Sequence, residues 1–135
     1  STSIVFICAI NEFDQVLNEA RHVNRLKDSM DTYYHLINNM IFEKTPFILF
    51  LNKKDLFKEK IEEHSKTIRA RFKNYNGPNT YEDSIRYIEK KFLTMNLNKK
   101  PYMHRTCATD TNQVQLVITS VIDAILTDRL KSMGM

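Results

Sequence analysis

The run Phe47-Ile48-Leu49-Phe50-Leu51 ends directly in Asn52-Lys53-Lys54-Asp55. The apolar residues are the right length for one buried strand, and aromatic and β-branched side chains suit a pleated surface. An open α/β sheet places its ligand at the carboxyl ends of such strands. The polar groups delivered there suit a guanine base. The Asp55 carboxylate can accept two hydrogen bonds from adjacent ring donors. The Asn52 amide can bond both a ring nitrogen and the loop backbone. The Lys53 stem can lie across the apolar face of a base and leave its ammonium in water. Taken alone, a solvated turn after a strand accounts for these residues equally well.

A second motif shifts that balance. The stretch Tyr102 to Asp110 holds a short strand candidate followed by Thr106-Cys107-Ala108-Thr109, and it opens the last helical pattern. With both motifs in place, the chain resembles the α subunit of heterotrimeric G proteins. The resemblance runs through nearly the whole sequence. It includes Ala9 to Leu17, Asn24-Arg25-Leu26, Ile37-Asn38-Asn39, Phe50 to Phe57, Gly77 to Asp83 and Thr106 to Thr111. An Asn-Lys-x-Asp motif is shared by many GTPases. The Thr-Cys-Ala-Thr-Asp-Thr loop at this distance from Asn-Lys-Lys-Asp-Leu-Phe is specific to the Gα class.

The resemblance implies a guanine-nucleotide-binding transducer of receptor signals. Asp55 would accept from both guanine ring donors, Asn52 would hold the loop, and Lys53 would stack on the base. Cys107 and Ala108 would present backbone N–H groups to the guanine oxygen, with Thr109 in support. The tail Arg129, Leu130, Lys131, Ser132, Met133, Gly134 and Met135 would face the receptor. Met133 stands where some members carry a toxin-modified Cys, so that modification is not expected. The implied ligand is GTP or GDP. The implied partners are a G protein-coupled receptor, the Gβγ dimer and an effector. The implied location is the cytoplasmic face of the plasma membrane, reached through N-terminal lipidation in a segment this sequence does not contain.

The same resemblance marks what these residues lack. No G-x-x-x-x-G-K-[ST] loop is present, and Gly77 and Gly134 are the only glycines. That loop supplies the N–H groups and the Lys that cradle phosphates. The Mg²⁺-ligating Thr, the Arg finger and the D-x-x-G-Q segment are also absent. No catalytic residue is therefore assigned, and the Mg²⁺ ligands of the intact family lie outside this chain. Residues 1–135 read as the C-terminal part of a Gα Ras-like GTPase domain, without P-loop, switch regions or helical domain. Whether the chain acts as an enzyme stays open. The alternative is a truncated, non-catalytic interaction module that engages receptors through its last helix, or effectors through residues 23–45.

Composition agrees with a single soluble domain: 135 residues, 42% hydrophobic and 27% charged. A formal charge of +4 weakly favours anionic partners and alone predicts neither nucleic acid nor membrane; no nucleic-acid interface is expected. Arg69 to Lys73 is the one basic cluster of note. Two cysteines make no disulfide framework, and Cys8 reads as a small core residue. His22, His35, His64 and His104 lack ligand spacing, so no metal site is assigned. No apolar stretch is long enough for a transmembrane helix.

The elements follow from periodicity. Ile4 to Ile10 is an apolar strand, and Asn11 to Glu19 a connection. Val23, Leu26, Met30, Tyr33, Ile37 and Met40 or Ile41 fall at helical spacing. Pro46 ends that element before the strand at 47–51. A short helix is expected over Glu59 to His64, then a polar, basic stretch to Asn79. Thr80 and Asp83 make a cap for a helix whose apolar face is Ile85, Ile88, Phe92 and Met95. Met103 to Thr106 is the third strand. Asp110 and Gln113 cap a final helix with an apolar stripe from Val114 to Leu130. Alternating strands and helices specify an α/β fold. The expectation is a partial parallel sheet of about three strands with flanking helices, the second half of a P-loop GTPase (Ras-like) domain. Its first strand should be an unpaired apolar edge, which would leave the isolated chain poorly stable.

Overall fold

The structure is a computed structural model that describes residues 3–107, 125–128, 130, 131, 133 and 134. Three parallel strands form its sheet in the order β1-β2-β3: β1 Ile4–Ala9, β2 Phe47–Asn52 and β3 Tyr102–Arg105. β2 is central, paired from Ile4↔Phe47 to Ala9↔Asn52 on one side and from Ile48↔Tyr102 to Leu51↔Arg105 on the other. Phe47 to Leu51 are all buried. A strand covered on both faces needs no alternation, which is why its sequence is a continuous apolar run.

Three α-helices connect the strands: α1 Arg25–Ile37, α2 Lys54–Glu62 and α3 Tyr81–Leu93. One core gathers Leu26, Met30, Tyr33 and Ile37 of α1, Phe57 and Ile61 of α2, and Ile85, Ile88 and Phe92 of α3. These pack against the sheet face that carries Cys8, Phe47, Leu49 and Leu51. The opposite face carries Ile48 and Phe50, which pack with Ile125 and Tyr102. Val5 and Ile7 share that second face by register, yet are 43% and 58% exposed. Among the described residues β1 pairs only with β2, so it is an apolar edge as the sequence suggests.

Local chemistry fixes the helix ends. Asn24 caps α1 by accepting from Lys27 N–H at 3.1 Å, and its amide donates to Phe13 O at 2.7 Å. Thr80 caps α3 by accepting from Asp83 N–H, while its hydroxyl donates to the Asp83 carboxylate at 2.7 Å. Asp83 therefore does serve the cap.

Several boundaries differ from the sequence expectation. β1 stops at Ala9, and the expected connection begins as a 3-10 helix, Ile10–Asp14, that buries Ile10, Asn11 and Phe13. α1 ends at Ile37 because the Asn38 amide donates back to Tyr34 O and to Met95 O. Met40 and Ile41 then fall in a separate 3-10 turn and are 75% and 81% exposed, not core. α2 begins five residues earlier than Glu59, at Lys54, and ends at Glu62. β3 is shifted one residue back, to Tyr102–Arg105. The polar stretch before α3 hides Ile68, Phe72 and Tyr75 in the core, where Tyr75 and Phe72 meet the Tyr87 ring edge-on at 5.1 and 6.0 Å. The proposed caps at Asp110 and Gln113 lie outside the described residues.

Tyr33 is fully buried, its ring edge-on to Phe6, Phe47 and Phe92 at 5.4, 6.0 and 5.1 Å. Its hydroxyl has no hydrogen-bond partner among the described residues. A buried, unpaired hydroxyl costs more than the apolar atom it could be replaced by. Tyr33→Phe should therefore keep the ring contacts and raise stability by about 1 kcal/mol, read as a higher urea midpoint at unchanged slope. A lowered midpoint would show that the hydroxyl has a partner in solution.

Candidate functional site

The carboxyl end of the parallel sheet is where β1, β2 and β3 hand the chain to the 3-10 helix at Ile10, to α2, and to Thr106-Cys107. Asn52 is the last residue of β2, and Lys53 follows with φ 61° and ψ 39°. This left-handed conformation is uncommon for a residue with a Cβ and marks a sharp reversal. It turns the chain from strand into helix within one residue. Asp55 then stands in the first turn of α2, where a carboxylate complements the helix dipole.

Thr106 joins the two motifs. It is 2% exposed, its N–H donates to Leu51 O at 2.9 Å, and its carbonyl accepts from Lys54 N–H at 3.1 Å. Its hydroxyl donates to Asn52 Oδ1 at 3.0 Å. The loop after β3 is thus fastened to the turn after β2 by two backbone bonds and one side-chain bond. Lys54, which the sequence reading took as structural, and Thr106, to which it assigned no contact, take part through their backbones. A Thr immediately after the strand candidate was the available signal.

Asn52, Lys53, Asp55 and Cys107 all belong to this end of the sheet. With Asn52 Oδ1 engaged by Thr106, its NH₂ meets no acceptor among the described residues. Asp55 is exposed, and no described residue donates to its carboxylate or pairs with it. Cys107 is a free, half-buried thiol. Ala108 and Thr109 lie outside the described residues. So do Arg129, Ser132 and Met135 of the tail. Of the other tail residues, Leu130 and Met133 are 48% and 69% exposed, and Lys131 and Gly134 are exposed as well.

The supports of the site are ionic as well as apolar. Lys60 of α2 donates to Asn11 O and to the Asp14 carboxylate, both at 2.7 Å. This ties α2 to the segment leaving β1. Arg105, at the end of β3, makes a two-pronged bond to Glu89 at 2.8 and 2.9 Å and reaches Glu82 at 2.9 Å. That pairing locks α3 to the strand that delivers Thr106, and holds the Glu82 carboxyl below its ordinary range. Sequence reasoning did not find either bracket. A 220 Å³ depression touches Asp55 but runs down the flank of α2 among Lys58, Glu59, Glu62 and Glu63. It includes neither Asn52, Lys53 nor Cys107, so it is not the space between the motifs. Among the described residues no group of His, Cys, Asp and Glu could hold a metal ion.

Comparison with known proteins follows the same two motifs. The family model for the G-protein alpha subunit matches residues 1–125. The guanine nucleotide-binding protein alpha-17 subunit of Caenorhabditis elegans is 50% identical over 136 residues, covering 98% of this chain and 38% of that protein. The alpha-3 subunit of the same organism is 50% identical over 135 residues, with the same coverage. The alpha-17 subunit of Caenorhabditis briggsae matches to the same extent as its namesake. The chain thus spans 38% of the length of these relatives. An all-parallel sheet, a left-handed turn into α2, and a family match that takes in both motifs lead to one assignment: the chain belongs to the G-protein alpha subunit family.

Proposed function

We propose that this chain supplies the base-reading part of a guanine-nucleotide switch that answers to a membrane receptor. The observation that carries this reading is the set of unmet polar groups at one end of the sheet. The Asn52 NH₂ and the Asp55 carboxylate have no described protein partner, although Thr106 holds Asn52 in a fixed orientation. A guanine base offers what they lack: a ring-nitrogen acceptor for Asn52, and an N–H beside an NH₂ for Asp55. Adenine has no such donor pair. Lys53 would cover one face of the base with its stem. Cys107, Ala108 and Thr109 would complete the pocket from the other loop, with backbone N–H groups on the guanine oxygen.

The relatives are named as guanine nucleotide-binding subunits, which supports the same ligand here. The phosphates and Mg²⁺ would be held by parts of the protein other than residues 1–135, because no residue of this chain fits those roles. No step of hydrolysis is assigned to it. The receptor contact would be the tail from Arg129 to Met135, through Leu130, Lys131, Ser132, Met133 and Gly134. The exposure of Leu130 and Met133 supports that placement, since apolar side chains left in water favour a partner. Gβγ and effector contacts, and attachment at the cytoplasmic face of the membrane, belong to the whole protein in this reading. A non-catalytic interaction module remains the second reading. It rests on the lack of any phosphate cradle in the sequence.

Three outcomes test the reading. Asp55→Asn, in the protein carrying this chain together with its phosphate-binding part, should weaken GDP binding roughly 10- to 100-fold and improve competition by XTP. An amide presents a donor where the carboxylate accepts, which suits a base with a carbonyl at that position. Unchanged GTP preference over XTP would remove Asp55 from the site. Residues 1–135 alone should bind labelled GDP more weakly than about 1 μM, because oriented phosphate contacts supply much of such affinity. A tighter constant from equilibrium dialysis would contradict the division of the site. Deleting residues 131–135 should abolish receptor-stimulated nucleotide exchange and leave spontaneous release within about twofold. Stimulated exchange that survives the deletion would place the receptor contact elsewhere.

A further inference from the structure

A second concave feature lies away from the base-reading end. It is a 330 Å³ groove between α1, the segment 71–74 and α3. Its rim carries Lys27, Arg71, Lys73 and Lys91, and no carboxylate lines it. Elsewhere cations hold elements together by pairing: Arg25 with Glu12, Lys60 with Asp14, Arg105 with Glu82 and Glu89. None of the four rim cations pairs with a carboxylate among the described residues. Two of them instead stand over ring faces, Lys27 over Phe72 at 5.3 Å and Lys91 over Tyr87 at 5.4 Å. A ring face orients an ammonium without neutralising it. Convergent, unneutralised cations from three separate segments repel one another, and an anion in the groove relieves that repulsion.

We propose that this groove is a binding site for a ligand carrying two or more phosphate groups. The floor discriminates between anions. Met30 and Phe72 are each only 6% exposed, and the half-buried Tyr87 ring stands beneath the Lys91 ammonium, so the groove offers no deep apolar socket to anchor a side chain of an acidic peptide. The available chemistry is a ring of N–H donors: one guanidinium fork and three ammoniums. A fork matches a phosphate with two parallel bonds, and the ammoniums act as movable point charges. A single phosphate engages only part of such a rim, whereas vicinal phosphates on one small ring engage opposite sides together. The groove shares no residue with Asn52, Lys53, Asp55 or Cys107, so it stands apart from the guanine reading.

The experiment uses the protein carrying this chain, with GDP held in excess. One arm titrates inositol hexakisphosphate by calorimetry. The other measures sedimentation with vesicles containing phosphatidylinositol bisphosphate, against phosphatidylserine vesicles of matched charge. The expected result is saturable binding in at least one arm, weakened tenfold or more by the double variant Arg71→Gln/Lys73→Gln. Lys44→Gln/Lys100→Gln removes the same charge from exposed positions outside the groove and should change binding less than twofold. Binding to inositol hexakisphosphate alone identifies a soluble ligand, and preference for the bisphosphate vesicles identifies a lipid headgroup; either supports the site. Circular dichroism and urea midpoints matching the parent confirm that the variants fold. No binding in either arm overturns the proposal. So does equal weakening by both double variants, which would reduce the effect to net charge.

Discussion

Shutting β2 away from water on both faces commits its backbone. Every N–H and C=O along Phe47 to Leu51 must be met by a neighbouring strand, because no water reaches it. β1 and β3 meet that demand from the two sides in one parallel register. The consequence at the carboxyl end is geometric. Ala9, Asn52 and Arg105 arrive at nearly the same level, so three loops far apart in sequence leave the sheet side by side. The N–H of Thr106 continues the ladder onto Leu51, and its carbonyl then receives Lys54 N–H. The meeting of the Asn-Lys-Lys-Asp turn with the Thr-Cys loop is therefore an extension of sheet pairing. It does not rest on an independent contact between two flexible loops.

That dependence explains what could be read from the sequence. Continuous apolar runs gave β1 and β2, and the period of α1 and α3 gave their buried faces, because burial against a sheet imposes both patterns. The Thr80–Asp83 cap was legible for a similar reason: it is a local bond between residues three apart. The start of α2 was not legible. No side chain caps it, and its entry depends on a left-handed Lys53, which carries no compositional mark. Ile68, Phe72 and Tyr75 were also missed, because their spacing is diluted by charged neighbours and their burial is tertiary, Phe72 and Tyr75 lying against Tyr87 of α3. Met40 or Ile41 was read onto the apolar face of α1 by extending a period past the point where Asn38 stops the helix. In the site, the types of the polar groups were readable at the end of β2. Their fastening was not, since Lys60 to Asp14 and Arg105 to Glu89 are tertiary bonds between segments without local pattern.

The two faces of the sheet are held differently, and this bears on how a load could reach the loops. On the α1–α3 face, Arg105 and Lys60 add charged brackets to an apolar core that includes all three helices. On the other face, the contacts of the C-terminal segment include Ile125 against Ile48 and Phe50, and Asp128 accepting from the Tyr102 hydroxyl at 3.0 Å. Leu126, Leu130 and Met133, farther along or turned outward, are 53%, 48% and 69% exposed. A partner that binds those exposed residues pulls on Asp128, hence on Tyr102 at the start of β3. β3 is hydrogen-bonded to β2 along its length and bracketed to α3 at Arg105, so it resists sliding as a unit. Displacing Thr106 by that route would mean breaking the ladder and the two-pronged Arg105 bond together. The Tyr102–Asp128 bond is exposed and single, and it yields first. A load on the described residues at 125–131 therefore breaks that bond before it moves β3. The sheet and its Asn52–Thr106 fastening stay fixed.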